Sequence, residues 1–357
     1  MHTNAHPQIA RAIDVGCGHV KFSTGESGIS KGVFDIACGS FPALPIRSTR
    51  HYKEDASGVE LGAKLKVTSI DVDGQTFVIS ADPEVIAVPS DSRSAGENYV
   101  SSRSFRICIA AAIKQMQLPY PRIDHLVLGA PVGNFEAAKK ALLENFAGGV
   151  QFDDQKVGIG QIHVVQQPIG GLLYQYRTNG HEADLAGYTR LVIDVGYGTL
   201  SWVVAHGLVP VHDRSGTVSY GVERLIDTIH HEVSKAYGSF SENLAITEDI
   251  DRMLKGTYND FFFRGQSYDH ERFERLINGI IDQGLEAVFK NVGKTTDLRC
   301  VVVVGGQGRR YGKRLQAMKP ALHVEIVGST GTDACLANVR GFQLIAERQR
   351  GVSSAEC

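Results

Sequence analysis

The sequence predicts an α/β fold in which two related halves face each other across a cleft and each half carries an inserted subdomain. The first observation is a duplicated motif, Ile-Asp-Val-Gly-x-Gly, at residues 13–18 and again at residues 193–198. A motif that recurs about 180 residues later is typical of two homologous units. The second observation is that predicted strands alternate with predicted helices along most of the chain, as in a sheet covered by helices.

The length and the charge of the chain bound its class. Of its 357 residues, 43% are hydrophobic, which is enough to fill the cores of two domains. The formal net charge is −2, so the bulk charge favours neither nucleic acid nor an anionic membrane as a direct partner.

The cysteine pattern and the amino terminus both favour the cytoplasm. The six cysteines form no CxxC pair and no Cys/His cluster at metal-binding spacing, so reduced thiols are the simplest interpretation. Residues 1–11 lack the basic-then-apolar pattern of a signal peptide, and no apolar run approaches the roughly 18 to 20 residues of a membrane span. We therefore expect a cytoplasmic protein without a membrane partner. The cysteines are Cys17, Cys38, Cys108, Cys300, Cys335 and Cys357.

Each copy of the motif predicts a β-hairpin with an acid at its exposed tip. In the second copy, one apolar run ends at Asp194 and another begins at Leu200. Gly196 and Gly198 would let backbone N–H groups close on an anion, while Asp194 would hold a hydrated cation beside it. A phosphate with its Mg²⁺ suits such a tip. One copy alone would also fit an ordinary hairpin turn, but the equivalent acid Asp14 in the first copy favours a shared cleft.

The chain between about residues 25 and 97 is rich in Gly, Ser, Asp and Pro and is predicted to be a β-rich inserted subdomain. Strand-like runs at 65–72 and 75–79 flank Asp73-Gly74, and an Asp-Gly pair between alternating apolar residues is a strong hairpin signal. The rest of the first half alternates helices and strands. The predicted elements are a helix from Ser102 that ends before Pro119, a strand at 123–132, a helix at 134–149 with Asn134 as its cap, a short strand at 161–167 and a helix that begins at Pro168.

The second half repeats this alternation after its hairpin. A helix is predicted from about Gly221, and residues 239–291 are predicted to be a mostly helical insertion that is interrupted near 256–266. A strand at 300–306 then ends in a glycine turn that opens a basic helix, the usual place of a ligand crevice in an α/β sheet. Its GGxG spacing differs from the GxGxxG dinucleotide fingerprint, which disfavours a dehydrogenase. The last predicted elements are a short strand at 323–328 and a helix at 332–350.

The two Asp-x-Gly-x-Gly hairpins, the strand that ends in Gly305-Gly306 and the insertions in both halves resemble the superfamily of actin, sugar kinases and heat-shock chaperones. The resemblance covers nearly the whole chain and is strongest to the bacterial plasmid-segregating actins of the ParM/StbA type. It implies an actin-like fold with two RNase H-like domains around a nucleotide cleft. The implied domain I comprises residues 1–166 and 332–357 with an insertion at about 25–97, and domain II comprises residues 167–331 with an insertion at about 239–291.

The resemblance also implies roles for the residues of both hairpins. Asp14 and Asp194 would organise Mg²⁺ through its water ligands. Lys21 would reach the nucleotide phosphates, with an ordinary solvated strand lysine as the alternative. Cys17 stands where relatives carry Ser or Thr, and Tyr197 is bulkier than their usual Gly or Asp. The first phosphate loop would consist of Asp14, Gly16, Cys17, Gly18 and Lys21, and the second of Asp194, Gly196, Tyr197, Gly198 and Thr199.

Gln167 aligns with the residue that positions the attacking water in relatives, where actin also carries Gln. Because Gln is not a strong general base, it would orient the water by hydrogen bonding, and hydrolysis would be slow. A simple helix cap is the alternative for this residue. The residues implied in adenosine binding are Gly305, Gly306, Gln307 and Arg309, with Glu223 as a further candidate and an ordinary surface glutamate as its alternative.

The function implied by the resemblance is a filament-forming, Mg²⁺-dependent ATPase that takes ATP or GTP and couples hydrolysis to polymerisation. Its partners would be further copies of itself and a DNA-binding adaptor of the ParR type on a centromere-like plasmid site, with no direct contact to nucleic acid. The alternatives are a small-molecule kinase or phosphatase and a bacterial cytoskeletal scaffold on the same fold. A kinase or phosphatase would need a catalytic Asp with a substrate-binding insertion, and a membrane-bound scaffold would need an amphipathic element that residues 1–11 do not supply.

Overall fold

A computed structural model describes residues 6–30, 33–48, 67–81, 99–237, 244–328 and 331–355. Among these residues, no helix combines the length and the apolar character that crossing a bilayer requires. The strands are β1 (Ala10–Val15), β2 (His19–Ser30), β3 (Val33–Pro42), β4 (Ile46–Arg47), β5 (Val67–Val72), β6 (Gln75–Ser80), β7 (Arg122–Ala130), β8 (Val150–Phe152), β9 (Gln155–Gln166), β10 (Thr189–Val195), β11 (Leu200–His206), β12 (Val209–Pro210), β13 (Gly216–Val218), β14 (Asp260–Phe263), β15 (Gln266–Asp269), β16 (Leu298–Gly305) and β17 (Val324–Ile326). The helices are α1 (Arg103–Gln115), α2 (Phe135–Phe146), α3 (Gln167–Thr178), α4 (Val222–Tyr237), α5 (Leu244–Leu254), α6 (Glu274–Val292), α7 (Gly308–Met318) and α8 (Gly331–Ala355).

The two halves are built on sheets that share the order of five strands. The first sheet runs β3-β2-β1-β7-β9, with β8 beyond β9, and the second runs β12-β11-β10-β16-β17, with β13 also paired to β11. In each sheet, the strand that carries the acid, β1 or β10, pairs antiparallel with the next strand in the chain. It pairs parallel with a later strand, β7 or β16. The hairpin registers also agree, since Asp14 lies opposite Lys21 and Asp194 lies opposite Ser201. The predicted α/β fold with two related halves is therefore confirmed.

The prediction that the two acids sit at exposed hairpin tips is wrong. Asp14 and Asp194 each lie one residue before the end of their strand, and they are only 1% and 9% exposed. The reason is that β1 and β10 have a neighbouring strand on both sides. Their carboxylates are therefore enclosed by the sheet and by the helices that pack on it.

The first insertion contains a separate three-stranded sheet with the order β4-β6-β5. The predicted hairpin is confirmed, because β5 and β6 pair antiparallel through a two-residue turn in which Asp73 and Gly74 have φ of 52° and 70°. The main sheet, however, continues past residue 25, the predicted start of this insertion, because β2 and β3 form one long hairpin that reaches Pro42. Parts of the predicted range, at 31–32, 49–66 and 82–97, lie outside the described residues.

The second insertion contains α5, a β-hairpin of β14 and β15, and nearly all of α6. The predicted helices are present, but the interruption near 256–266 is a hairpin that the sequence did not suggest. Its turn places Arg264 and Gly265 at φ of 48° and 82°. The hairpin packs through the stacked rings of Phe261 and Tyr268, whose centroids are 5.2 Å apart, onto Phe273. Residues 238–243 lie outside the described part of the chain.

Local sequence signals set most helix starts. The Ser102 side chain caps α1 by accepting a hydrogen bond from the backbone N–H of Phe105, and Pro168 lies in the first turn of α3 as predicted. Asn134 precedes α2 at the capping position, but its side chain makes no capping hydrogen bond. The strand predicted at 161–167 is longer, because β9 pairs with β7 from residue 158 onwards.

Helices α3 and α8 cross between the two sheets. Helix α3 follows β9 of the first sheet and packs its apolar face on the second sheet, whereas α8 follows the second sheet and packs on β1 and β7 of the first. The helices touch through backbone at their crossing, since a Cβ on Gly341 would lie 1.8 Å from the carbonyl oxygen of Gly170. Each helix therefore contacts both halves.

Candidate nucleotide site

The glycine turns of the two motif hairpins have the same geometry and meet each other. In the first, the N–H of Gly16 donates to the carbonyl of His19 at 3.0 Å, and in the second, the N–H of Gly196 donates to the carbonyl of Thr199 at 2.9 Å. A Cβ on Gly18 would lie 2.6 Å from the Cβ of Tyr197. The fold therefore brings together the two loops that the duplicated motif predicts for a shared cleft.

A side-chain amide holds each of the two acids. Gln167, the first residue of α3, donates its Nε2 hydrogen to Asp14 Oδ1 at 2.7 Å, and Lys21 Nζ lies 3.5 Å from Asp14 Oδ2. Asn338 on α8 donates its Nδ2 hydrogen to Asp194 Oδ2, also at 2.7 Å. The sequence pointed to Gln167 and Lys21 as site residues, but it did not single out Asn338.

The electrostatics of the acids suit a divalent cation. Burial, with the charge of Asp14, raises the pKa of Asp194 to about 6, although the Asn338 hydrogen bond and Lys21 act in the opposite direction. Burial lowers the pKa of Lys21, but the charges of Asp14 and Asp194 outweigh it and raise that pKa, so Lys21 is charged. Mg²⁺ prefers oxygen ligands and keeps several of its waters, and its charge would relieve the repulsion between two buried carboxylates. The residues present therefore match the implied metal.

Two glycines bring the backbone close to the acids. Gly305, at the end of β16, has φ of 95°, and a Cβ there would lie 2.8 Å from Asp194 Oδ1. Gly129, near the end of β7, would place a Cβ 3.0 Å from Asp14 Oδ1 and 3.1 Å from Gln167 Cγ. Any side chain at either position would displace an acid. Sequence reasoning found Gly305 but missed Gly129, because a single glycine at the end of a strand has no distinctive signal.

Glu223 and Cys17 lie beside the phosphate loops. Glu223 is the second residue of α4, and its Oε2 would be 3.5 Å from a Cβ on Gly198. Burial and then the charge of Glu223 raise the pKa of the Cys17 thiol, which places Glu223 within electrostatic range of the first loop. The Thr199 hydroxyl lies 3.5 Å from that of Ser201 at the base of the second hairpin.

The turn before α7 carries the residues that the resemblance assigns to adenosine. Gly306 is exposed, and Arg309 is exposed in the first turn of α7. Gln307 is only 4% exposed, and its Oε1 accepts a hydrogen bond from Arg310 Nε at 3.3 Å. Arg310 also reaches the carbonyl of Leu254 at the end of α5, so it joins this turn to the second insertion. Contact of Gln307 and Arg309 with a base or ribose stays a prediction.

Comparison with protein families matches two profiles in sequence order. Residues 12–170 match the family described as actin like proteins, N-terminal domain. Residues 192–317 match the family described as archaeal actin homologue MreB-like, C-terminal. Together they span most of the chain and contain both motif hairpins. No curated protein sequence matches the chain.

Solved structures share the fold at low sequence identity. The archaeal actin homologue Ta0583 in its native form is 21% identical with a TM-score of 0.73, and the alignment covers 96% of this chain and all of that one. The complex of Ta0583 with ADP is 20% identical with a TM-score of 0.69 over the same shares. The subunit of a 15-stranded ParM filament from Clostridium botulinum is 17% identical with a TM-score of 0.73. Here too the alignment covers 96% of this chain and all of the other one. These matches show that the chain has the actin-like fold, and the two profiles together show that it belongs to the actin-like proteins.

Proposed function

We propose that the protein is a Mg²⁺-dependent nucleoside triphosphatase that polymerises with nucleotide bound. The observation that carries the proposal is the matched pair of hairpins, whose acids lie at the same register and whose glycine turns meet. Backbone N–H groups beside an acid form a site for a phosphate and its cation. Two such hairpins facing each other suit the β- and γ-phosphates of one nucleotide.

Each residue of the site has a role that follows from its contacts. Asp14 and Asp194 would hold the water ligands of Mg²⁺, and Lys21 would add positive charge beside the phosphates. The turns that contain Gly18 and Gly198 would donate backbone N–H groups to phosphate oxygens. When bound, the metal would neutralise the charge that develops during phosphoryl transfer.

Gln167 is the residue best placed to orient the attacking water. Its Nε2 is engaged by Asp14, so its carbonyl Oε1 is the group left to accept a hydrogen bond from water. A neutral amide does not remove the proton as a strong base would. We therefore expect slow hydrolysis, which would let a subunit enter a polymer before its nucleotide is spent.

The crossing helices offer a route from the site to the shape of the molecule. Because α3 and α8 each contact both halves, closure of the cleft over nucleotide would change how the halves are arranged. A changed surface on one copy would then favour contact with the next, and head-to-tail contacts generate an open polymer. The ParM fold neighbour from Clostridium botulinum forms a filament, which supports this proposal. We further propose that a DNA-binding adaptor links the polymer to plasmid DNA.

Substitution of Gln167 tests the catalytic part of the proposal. Gln167→Ala should lower turnover by about tenfold or more while nucleotide affinity changes little, because the side chain orients water and does not hold phosphate. Asp14 would keep Lys21 as its second partner in this variant, at 3.5 Å. Gln167→Glu should hydrolyse faster than the wild type, because a carboxylate is the stronger base. Turnover is measured as phosphate release and affinity by titration of a fluorescent nucleotide. Equal losses of turnover and affinity in Gln167→Ala would mean that Gln167 only holds Asp14 in place and does not orient the water.

A further inference from the structure

Asn338 lies where α8 passes from one half of the molecule to the other. Its side chain is 6% exposed and donates to Asp194 in the second half. Little more than a turn later, Gln343 is fully buried against the first half, where it donates to the carbonyl of Ala10 at 3.1 Å and accepts from the Ser23 hydroxyl at 2.6 Å. Asn338 is therefore the point at which α8 is attached to the proposed metal site.

This contact mirrors the contact made by the other crossing helix. Gln167 on α3 donates to Asp14, and Asn338 on α8 donates to Asp194, both at 2.7 Å. Each crossing helix thus holds, through a side-chain amide, the acid of the half that precedes it in the chain. Gln167 belongs to the proposed water-positioning machinery, whereas nothing in the motifs assigns a role to Asn338.

Packing alone does not explain an asparagine at this position. Among the described residues, the buried Oδ1 of Asn338 has no hydrogen-bond partner, and it would lie 2.8 Å from a Cβ on Gly171. A buried polar atom without a partner destabilises a fold, so an apolar residue of the same size would pack better. The gain that offsets this loss is the hydrogen bond to Asp194.

We propose that Asn338 is a positioning residue that holds the Asp194 carboxylate in the orientation needed to bind a water ligand of Mg²⁺. The inference rests on the proposed function. An amide keeps its donor at every pH, and its N–H fixes one carboxylate oxygen so that the other faces the cleft. Because Asn338 is part of α8, a change in the orientation of the Asp194 carboxylate would also change the position of α8.

The test compares the nucleotide affinity of Asn338→Leu with and without the metal. The probe is a fluorescent N-methylanthraniloyl-ATP, or its GTP counterpart if ATP does not bind, titrated in Mg²⁺ and in EDTA at protein concentrations too low for polymer. Asn338→Leu should reduce the gain in nucleotide affinity that Mg²⁺ provides by about tenfold or more, because a residue that orients a metal-binding group contributes about this much. The nucleotide affinity measured in EDTA should change little. Asn338→Ala serves the same purpose if the leucine variant does not fold.

The matched control is Gln343→Leu, which removes an equally buried amide from the same helix without touching Asp194. It should leave the gain from Mg²⁺ unchanged, even if it lowers the unfolding temperature. An Asn338→Leu protein that keeps the full gain, or that loses affinity equally in Mg²⁺ and EDTA, overturns the positioning role. If the wild-type protein itself gains no affinity from Mg²⁺, the proposed function fails and this inference fails with it.

Discussion

Asp194 is buried within range of a second carboxylate, that of Asp14. Burial, with the charge of Asp14, raises its pKa to about 6 from an ordinary value of 3.8. The folded state therefore binds a proton that the unfolded state has already released between these pH values. The stability gained from that proton is present at acid pH and is lost as the pH rises through about 6.

Asp194→Asn should therefore stabilise the nucleotide-free protein at alkaline pH while it abolishes Mg²⁺-dependent hydrolysis. The amide cannot ionise, so the variant should exceed the wild type by up to roughly 3 kcal/mol at about pH 8 and by less at about pH 4.5. Urea unfolding of both proteins in EDTA at the two pH values measures this difference. A variant that is less stable than the wild type at both pH values would show that the contacts of Asp194 outweigh its electrostatic cost.

At the residue scale, the sequence located the acids but not everything that holds them. Asp14 and Asp194 could be predicted because the same short motif surrounds both. Asn338 and Gly129 could not, because their roles depend on contacts between elements that are far apart in the chain. Asn338 meets Asp194 across 144 residues, and no local pattern marks such a pair.

At the element scale, the crossing of α3 and α8 depends on the absence of side chains. A Cβ on Gly341 would lie 1.8 Å from the carbonyl oxygen of Gly170, so the helices cannot keep their separation with any other residue there. Gly351, further along α8, is exposed and has nothing within 4 Å of the place of its Cβ. The two glycines therefore form a matched pair on one helix.

Gly341→Ala should lower the free energy of unfolding by about 1–3 kcal/mol, which is the usual cost of overpacking. Gly351→Ala should raise it by up to about 1 kcal/mol, because alanine favours helix over glycine. Urea unfolding of the two variants beside the wild type gives both values. If both substitutions stabilise the protein alike, the close backbone contact between the helices does not exist.

Elements with local signals could be predicted, and elements that depend on distant pairing could not. The start of α1 at Ser102 and the turn at Asp73-Gly74 were predictable because each depends on only a few adjacent residues. The hairpin of β14 and β15 was missed because its strands have four residues each and stand between two helices. The length of β2 and β3 was missed because the pairing of the two strands determines it.

At the scale of the whole molecule, the duplicated motif predicted two halves with one topology, and the equal strand orders confirm it. The crossing of α3 and α8 could not be predicted from amphipathic patterns, because they show that a helix is buried but not which sheet it packs against. Only the resemblance implied it, by assigning residues 332–357 to domain I and residues 167–331 to domain II. This crossing is what makes the proposed coupling physically possible. A helix that contacts both sheets transmits any change in the angle between them.

Sedimentation of the full chain with Mg²⁺ and either ATP or GTP tests whether the protein polymerises with nucleotide bound. The protein should pellet above a critical concentration when Mg²⁺ and a triphosphate are both present, and the pellet should decline as the nucleotide is spent. Asp194→Asn, although folded, should stay in the supernatant, because its metal site is lost. Nucleotide-dependent polymerisation is ruled out if the wild-type protein at tens of micromolar stays in the supernatant with both nucleotides, or if it pellets equally well in EDTA without nucleotide.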